Sequence, residues 1–223
     1  MITPYYDDGN GIQIYCGDCR EILPQLDVKA DLVLTDPPYG ISQEDNGLRE
    51  LTYTFNDNPN LVFEILPRLL VAPVIYIWCA AEQLSFLLAE FVKADFMTRK
   101  LAWIKQNPPV INGQHIWLSS FELCAYGKQA GALHKGNCLK GYFIDSPDSQ
   151  RFHQTQKPLR IISEQIQAST NTGGLILEPF LGSGTTAVAA KILGRKCIGI
   201  EIEEKYCKIA VERLRQSVMR LDV

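Results

Sequence analysis

Two kinds of apolar pattern alternate along these 223 residues. Short runs at 11–16, 31–35, 74–78, 100–104, 121–126, 174–178 and 197–201 are bounded by turn residues and read as strands. Between them, the segments 20–26, 60–71, 81–92, 158–168, 184–193 and 203–219 repeat apolar positions every three or four residues, as helices with one buried face do. Pro158 suits the first position of a helix in which Leu159, Ile162 and Ile166 share a face, and Gly194 closes the helix at 184–193. Strands that alternate with helices predict an α/β fold: a doubly wound, mostly parallel sheet with helices on both faces.

Two stretches interrupt the alternation. Residues 40–58 are polar, carry Asn46, Gly47 and Asn56, and predict a long loop, either a lid over a substrate or a plain surface loop. From 105 to 151 the periodicity weakens, punctuated by Pro108-Pro109, Asn112-Gly113, Gly131, Gly136 and Gly141, with 121–126 as its one strand. The chain length suits one core, so residues 1–223 are read as a single domain carrying a short insertion at about 106–150.

Composition changes this picture in three places. The longest apolar stretch, 69–81, is broken by Pro73 and falls short of the roughly 20 residues that span a bilayer. The first residues have neither a basic nor an apolar leader segment, which predicts a cytoplasmic protein without a membrane partner. Seven cysteines without framework spacing point to free thiols in a reducing compartment. Cys16 and Cys19 match C-x-x-C, and Cys124, His134 and Cys138 complete a zinc set on paper. The second group lacks short spacing, so no metal is expected. Charge is uneven: 5 Lys/Arg against 15 Asp/Glu in 1–98, 9 against 3 in 99–160, and 8 against 7 in 161–223. A basic middle third on an acidic body is one way for a phosphate-binding face to coexist with a net charge of -3; a solvated face with scattered lysines is the plain alternative.

Two strings carry chemistry. Thr35-Asp36-Pro37-Pro38-Tyr39-Gly40 follows the apolar run Leu32-Val33-Leu34. It places a carboxylate, a rigid turn and an aromatic ring at a strand end, where a doubly wound sheet opens its crevice, and a flat group bearing an amino substituent fits there. Glu178-Pro179-Phe180-Leu181-Gly182-Ser183-Gly184-Thr185-Thr186 follows Leu175-Ile176-Leu177 and opens a helix. Its glycines allow a tight turn close to a ligand, and the helix start offers unpaired N–H groups, which suits a nucleotide-like cofactor. No Gly-Lys-Ser/Thr follows, and Ala187 stands where a dinucleotide fold prefers a third glycine. The next strand ends at Glu201, 19 residues after Gly182, where a carboxylate accepts from ribose hydroxyls.

Together these strings resemble the S-adenosylmethionine-dependent DNA amino-methyltransferases, which methylate adenine at N6 or cytosine at N4. Gly17-Asp18-Cys19-Arg20-Glu21-Ile22-Leu23 looks like the family's adenine-contacting segment, and His153-Gln154-Thr155-Gln156-Lys157-Pro158 is similar to its His-x-Thr-x-Lys-Pro segment. The catalytic string precedes the cofactor loop, the circularly permuted order of the β class within a Rossmann-like methyltransferase fold. Release-factor glutamine methyltransferases resemble the chain in fold but have the opposite order and an Asn-Pro-Pro-Tyr string.

The resemblance implies roles. Asp36, Pro37, Pro38 and Tyr39 are catalytic: Asp36 and the Pro37 carbonyl each accept one N–H of the exocyclic amino group, and Tyr39 stacks on the base. No cysteine nucleophile is needed. Asp18 lies at the adenine end of the cofactor, or is simply a helix cap. Glu201 takes the ribose, the turn Gly182, Ser183, Gly184 and Thr185 the methionine side, and Lys157 and Glu178 lie near the amino-acid end; Phe180 and Thr155, the latter in a segment beside the methionine part, also bind the cofactor. S-adenosylmethionine becomes S-adenosylhomocysteine. The target base is flipped out of double-stranded DNA. Arg99, Lys105, Lys128, Lys135, Lys140 and Arg151 clamp the backbone, and Trp117 or Phe143 fills the vacated stack unless these aromatics belong to the core. Asp before Pro-Pro-Tyr favours adenine N6; cytosine N4, RNA or protein as substrate, and an idle nucleic-acid-binding subunit are the alternatives. The family also suggests a homodimer, a bacterial or phage origin, and a separate restriction endonuclease or recognition subunit as partner.

Overall fold

A computed structural model describes residues 2–39, 58, 60–108, 117–147 and 156–219. The loop expected at 40–58 falls outside these except for Asn58, and so do Gly40, His115, Arg151, His153, Gln154 and Thr155.

Nine strands among the described residues form one sheet: β1 (Tyr6–Asp7), β2 (Ile12–Cys16), β3 (Leu32–Thr35), β4 (Val74–Cys79), β5 (Phe96–Lys105), β6 (Phe121–Gln129), β7 (Tyr142–Asp145), β8 (Leu175–Glu178) and β9 (Lys196–Glu201). Their order is β1-β2-β9-β8-β3-β4-β6-β5-β7. The run from β2 to β4 is parallel throughout. Beyond it, β6 inserts antiparallel between β4 and β5, and β7 returns parallel to β5 at the edge.

Helices cover both faces because the central strands are apolar on both sides. All six residues of β4 are buried. Val74, Tyr76 and Trp78 join one core cluster with α4 (Leu159–Ser169), α5 (Thr185–Ile192) and α6 (Glu204–Met219). Ile75, Ile77 and Cys79 point the other way, into a cluster with α1 (Cys19–Ile22), α2 (Leu61–Leu69) and α3 (Ala81–Lys93). The period of two along a strand therefore feeds both layers from one continuous apolar run.

The differences from the sequence reading have local causes. β5 begins at Phe96, four residues before the expected 100, because Thr98, Arg99 and Lys100 interrupt its apolar signal while the backbone stays paired with β6. β1 and β7 are two- and four-residue edge strands, too short to leave a period. Helix 20–26 is instead α1 followed by a 3-10 turn at Leu23–Gln25, where Pro24 has no N–H to continue the ladder. Pro158 is the N-cap of α4 and not its first residue. Within 106–150, β6 and β7 are built into the sheet, so this part of the segment is scaffold.

β3 and β8 are neighbours whose onward connections diverge, β3 through α2 to β4 and β8 through α5 to β9. Their carboxyl ends flank a topological switch point, where open α/β sheets hold ligands.

Candidate active site

The cleft at that point is lined by Leu34, Thr35, Asp36, Trp78, Gln156, Lys157, Glu178, Phe180, Gly182 and Ser183, among others. Asp36 and Lys157 thus meet the glycine turn, bringing together three segments that the sequence scatters.

Asp36 stands just beyond β3, half-buried, with both carboxylate oxygens engaged. Oδ1 accepts from the Tyr39 hydroxyl at 2.5 Å, and Oδ2 accepts from Lys157 Nζ at 2.5 Å. The Tyr39 phenol is held well above its ordinary pKa, by burial first and by the Asp36 charge second, so it serves as a donor. Lys157 is 3% exposed at its side chain and also lies 3.0 Å from Glu122 Oε2. That contact is an ion pair without hydrogen-bond alignment. The other Glu122 oxygen is 2.8 Å from Lys105 Nζ. Burial alone would lower the Lys157 pKa, but Asp36 and Glu122 outweigh it and hold the amine protonated. Burial likewise works against the Glu122 charge, and Lys157 and Lys105 more than offset it, leaving its pKa below the usual value. Lys157, expected at the amino-acid end of a cofactor, here occupies the centre of an Asp36–Lys157–Glu122–Lys105 chain.

Glu178 joins the two strings. Oε1 accepts from Thr35 Oγ1 at 2.5 Å and from the Phe180 N–H at 3.1 Å, and Oε2 accepts from Thr186 Oγ1 at 3.0 Å. Burial pushes its pKa up to about 8, against those three hydrogen bonds. It ties the end of β3 to the start of α5.

The glycine turn takes the form its residues suggest. Gly184 has φ +85°, and a Cβ there would meet the Ala210 Cβ at 2.6 Å, so α6 packs directly on the turn. Gly182, at φ +54°, would meet nothing within 4 Å and borders open cleft. The Gly182 N–H donates to Glu201 Oε2 and the Glu203 N–H to Oε1, both at 2.8 Å. Burial still raises the Glu201 pKa. Arg213 of α6 donates to the Ser183 carbonyl at 2.6 Å and to Thr185 Oγ1 at 3.2 Å. Buried Ser183 donates to Gln156 Oε1 at 3.3 Å. Asp18 caps α1 by accepting from the Arg20 N–H at 2.8 Å and pairs with the Arg20 guanidinium at 2.6 Å, which holds its carboxyl below the usual range. The cap and a cofactor contact are compatible, since Asp18 follows β2, the neighbour of β9.

Of the cations expected to clamp DNA, the five among the described residues do not lie on one face. Lys105 is 13% exposed at its side chain and paired with Glu122. Lys128 sits opposite Val74, at the start of β4, whereas the cleft opens at the strand's other end. Lys135 caps the far end of α4, its N–H donating to the Ala168 carbonyl at 2.7 Å and Nζ to the Thr170 carbonyl at 3.2 Å. Arg99 and Lys140 are exposed; Arg151 and Thr155 lie outside the described residues. Of the two aromatics, Trp117 is 98% exposed, while Phe143 packs against the core. Among the described residues no group of three or more His, Cys, Asp or Glu converges as a metal site, and no helix is long and apolar enough to cross a membrane.

Glu122, Arg213, Trp78 and Gln156 were not anticipated. Glu122 left a trace, as the one acid between Arg99 and Tyr142 in an otherwise basic stretch. Arg213 left none, since one more cation on a polar helix face looks like solvated surface.

A DNA methylase family model, of the N6/N4 methyltransferases, matches residues 105–212. This match and the relatives of the chain support an S-adenosylmethionine-dependent DNA amino-methyltransferase of the N6/N4 kind. The chain is 29% identical to the type II methyltransferase M2.LlaDCHI of Lactococcus lactis subsp. cremoris, over 97% of this chain and 94% of that one. It is 27% identical to DNA adenine methyltransferase YhdJ of Escherichia coli, over 89% and 81%. The crystal structure of the M1.HpyAVI–SAM complex superposes with a TM-score of 0.71 at 28% identity, covering 91% of this chain and 100% of that one. The cytosine-N4-specific PvuII methyltransferase shares the fold, with a TM-score of 0.71 at 16% identity over 91% and 86%.

The residues present fit the cofactor. Glu201 presents a carboxylate beside the turn at the end of β9, Gly182 leaves open space at its Cα, and Asp18 and Phe180 flank the same strand ends.

Proposed function

We propose that this enzyme methylates the N6 amino group of adenine at specific sites in double-stranded DNA. One observation carries the reading: the Asp36-Pro37-Pro38-Tyr39 turn at the end of β3 opens into the same cleft as the Gly182 turn pinned by Glu201. An exocyclic amino nitrogen is a poor nucleophile because its lone pair is delocalised into the ring. Two acceptors, the Asp36 carboxylate and the Pro37 carbonyl, draw its N–H groups so that the lone pair turns out of conjugation. Pro37 and Pro38 fix φ and hold that carbonyl in place. Tyr39 holds Asp36 through its hydroxyl and offers its ring to the base. When bound, S-adenosylmethionine supplies a methyl group already activated by its positive sulfur. The chain's contribution is therefore orientation, a source of roughly 7 to 11 kcal/mol in favourable cases.

Glu201 holds the ribose, the turn from Gly182 to Thr185 the methionine portion, and Asp18 the adenine. A paired base cannot reach this cleft, so the target is flipped out, with exposed Trp117 available to fill the gap. Arg99, Lys140 and Arg151 contact phosphates, and affinity falls steeply with salt. The relatives' description as type II methyltransferases favours a cytoplasmic modification enzyme whose sites a separate nuclease would cut. Transfer of tritiated methyl groups to DNA, RNA and protein, followed by nucleoside analysis, tests the reading. Label in N6-methyladenine of duplex DNA is the expected result; label in N4-methylcytosine, RNA or protein overturns it.

A further inference from the structure

We propose that Glu122 is a positioning residue for methyl transfer: it is the seat that receives the Lys157 ammonium when the substrate amino group takes its place on Asp36. The inference rests on the proposed amino-methyl transfer and extends it to a residue on a different strand.

Asp36 must accept an N–H from the base, yet both of its oxygens already accept, one from Tyr39 and one from Lys157. Each oxygen keeps a second lone pair, but the ammonium on Oδ2 neutralises the charge that would draw the incoming N–H, so Asp36 accepts most strongly when Lys157 draws back. Lys157 has somewhere to go, because Glu122 Oε2 lies 3.0 Å from its Nζ and accepts no hydrogen bond as it stands. The distance is already that of a hydrogen bond, and only the alignment is missing.

Charge gives the exchange its direction. An ammonium buried to 3% exposure cannot be left without a counter-charge, and the incoming base is neutral, so it brings none. Glu122 keeps Lys157 compensated after it leaves Asp36. Lys105, 2.8 Å from the other Glu122 oxygen, keeps Glu122 ionised in turn. Asp36 then faces the amino nitrogen with its negative charge no longer neutralised by an adjacent cation. That charge matters most as the nitrogen becomes positive during transfer. The sheet makes the device: β6 runs antiparallel beside β4, and this places Glu122 at the cleft end of the strand, next to the end of β3.

The test is Glu122→Gln in the full-length enzyme, with cofactor affinity measured by calorimetry and single-turnover methylation of duplex DNA at saturating cofactor. Lys157 then stays on Asp36, and the rate falls at least 10-fold while the cofactor dissociation constant changes less than 2-fold. Glu122→Asp recovers part of the rate. The double variant Glu122→Gln/Lys157→Met, which empties Asp36 Oδ2, is faster than Glu122→Gln alone; a purely structural Glu122 predicts that it is slower. A normal rate in Glu122→Gln, or a double variant no faster than the single, overturns the inference. Thermal melts separate these results from unfolding: if Glu122→Gln does not fold, the comparison passes to Glu122→Asp, whose unchanged rate also overturns it. A wild-type enzyme that transfers no methyl group to DNA fails the functional reading itself, and the inference falls with it.

Discussion

Lys157 Nζ lies 2.5 Å from Asp36 Oδ2, although 121 positions separate the two residues. The ion pair joins the Asp-Pro-Pro-Tyr string at the end of β3 to the segment that leads into α4. With the Tyr39 hydroxyl on Oδ1, it engages both oxygens of the resting Asp36 carboxylate.

Asp36 and Tyr39 are separable by substitution. Asp36→Ala is expected to lower the methyl-transfer rate by about 3 kcal/mol or more, with cofactor affinity retained. Tyr39→Phe keeps the ring but removes the 2.5 Å hydrogen bond to a carboxylate, at a cost of roughly 1.5 to 3 kcal/mol. Single-turnover rates with one duplex substrate measure both, and a Tyr39→Phe enzyme of normal rate would show that the hydroxyl does not hold Asp36.

Glu201→Ala is expected to weaken cofactor binding at least 10-fold by calorimetry, because it removes the ribose acceptor and releases the Gly182 and Glu203 N–H groups that it pins at 2.8 Å. The rate at saturating cofactor stays within a few-fold of normal. An unchanged dissociation constant refutes the assignment.

Glu178 makes stability depend on pH. Its folded pKa of about 8 lies above the ordinary 4.5, so between these values the native state holds a proton that the unfolded chain has lost. The group's contribution is fully present below pH 4.5, declines as pH rises to about 8, and is then constant. Glu178→Gln removes this titration. Denaturant unfolding at pH 5 and pH 8 should show the wild type losing more stability than the variant, by an amount on the order of a few kcal/mol. Parallel losses in the two proteins count against a neutral Glu178.

Lys135 and Lys140 are expected to differ in kind. Lys135→Ala removes a cap of the Thr170 carbonyl and lowers stability by roughly 1 kcal/mol, with little effect on DNA affinity. Lys140→Ala leaves stability unchanged, weakens DNA binding and reduces its salt slope by about one unit. Titrations at several salt concentrations measure this, and equal effects on affinity would restore Lys135 to the DNA face.

Gly184→Ala is expected to cost more than about 1 kcal/mol in denaturant unfolding and to weaken cofactor binding. The new Cβ would sit at φ +85° and 2.6 Å from that of Ala210. A variant of normal stability and affinity would show that α6 gives way easily.

The sequence by itself determined the α/β class, most of the strands and helices, the turn chemistry at Asp36–Tyr39 and Gly182–Thr185, and the kind of reaction. These are local: a period of two or 3.6, a proline that fixes φ and a glycine that frees it act over a few neighbouring residues. Only the tertiary structure decided which charges meet. That β6 would insert antiparallel between β4 and β5, carrying Glu122 to Lys157, depends on pairing Cys79 with Leu123, 44 positions further along the chain. Lys135 and Lys140 look alike in a basic stretch, and one became a helix cap because α4 happens to end beside it. A carboxylate's role follows from its burial and its counter-charges, and both are set by packing between elements distant in sequence.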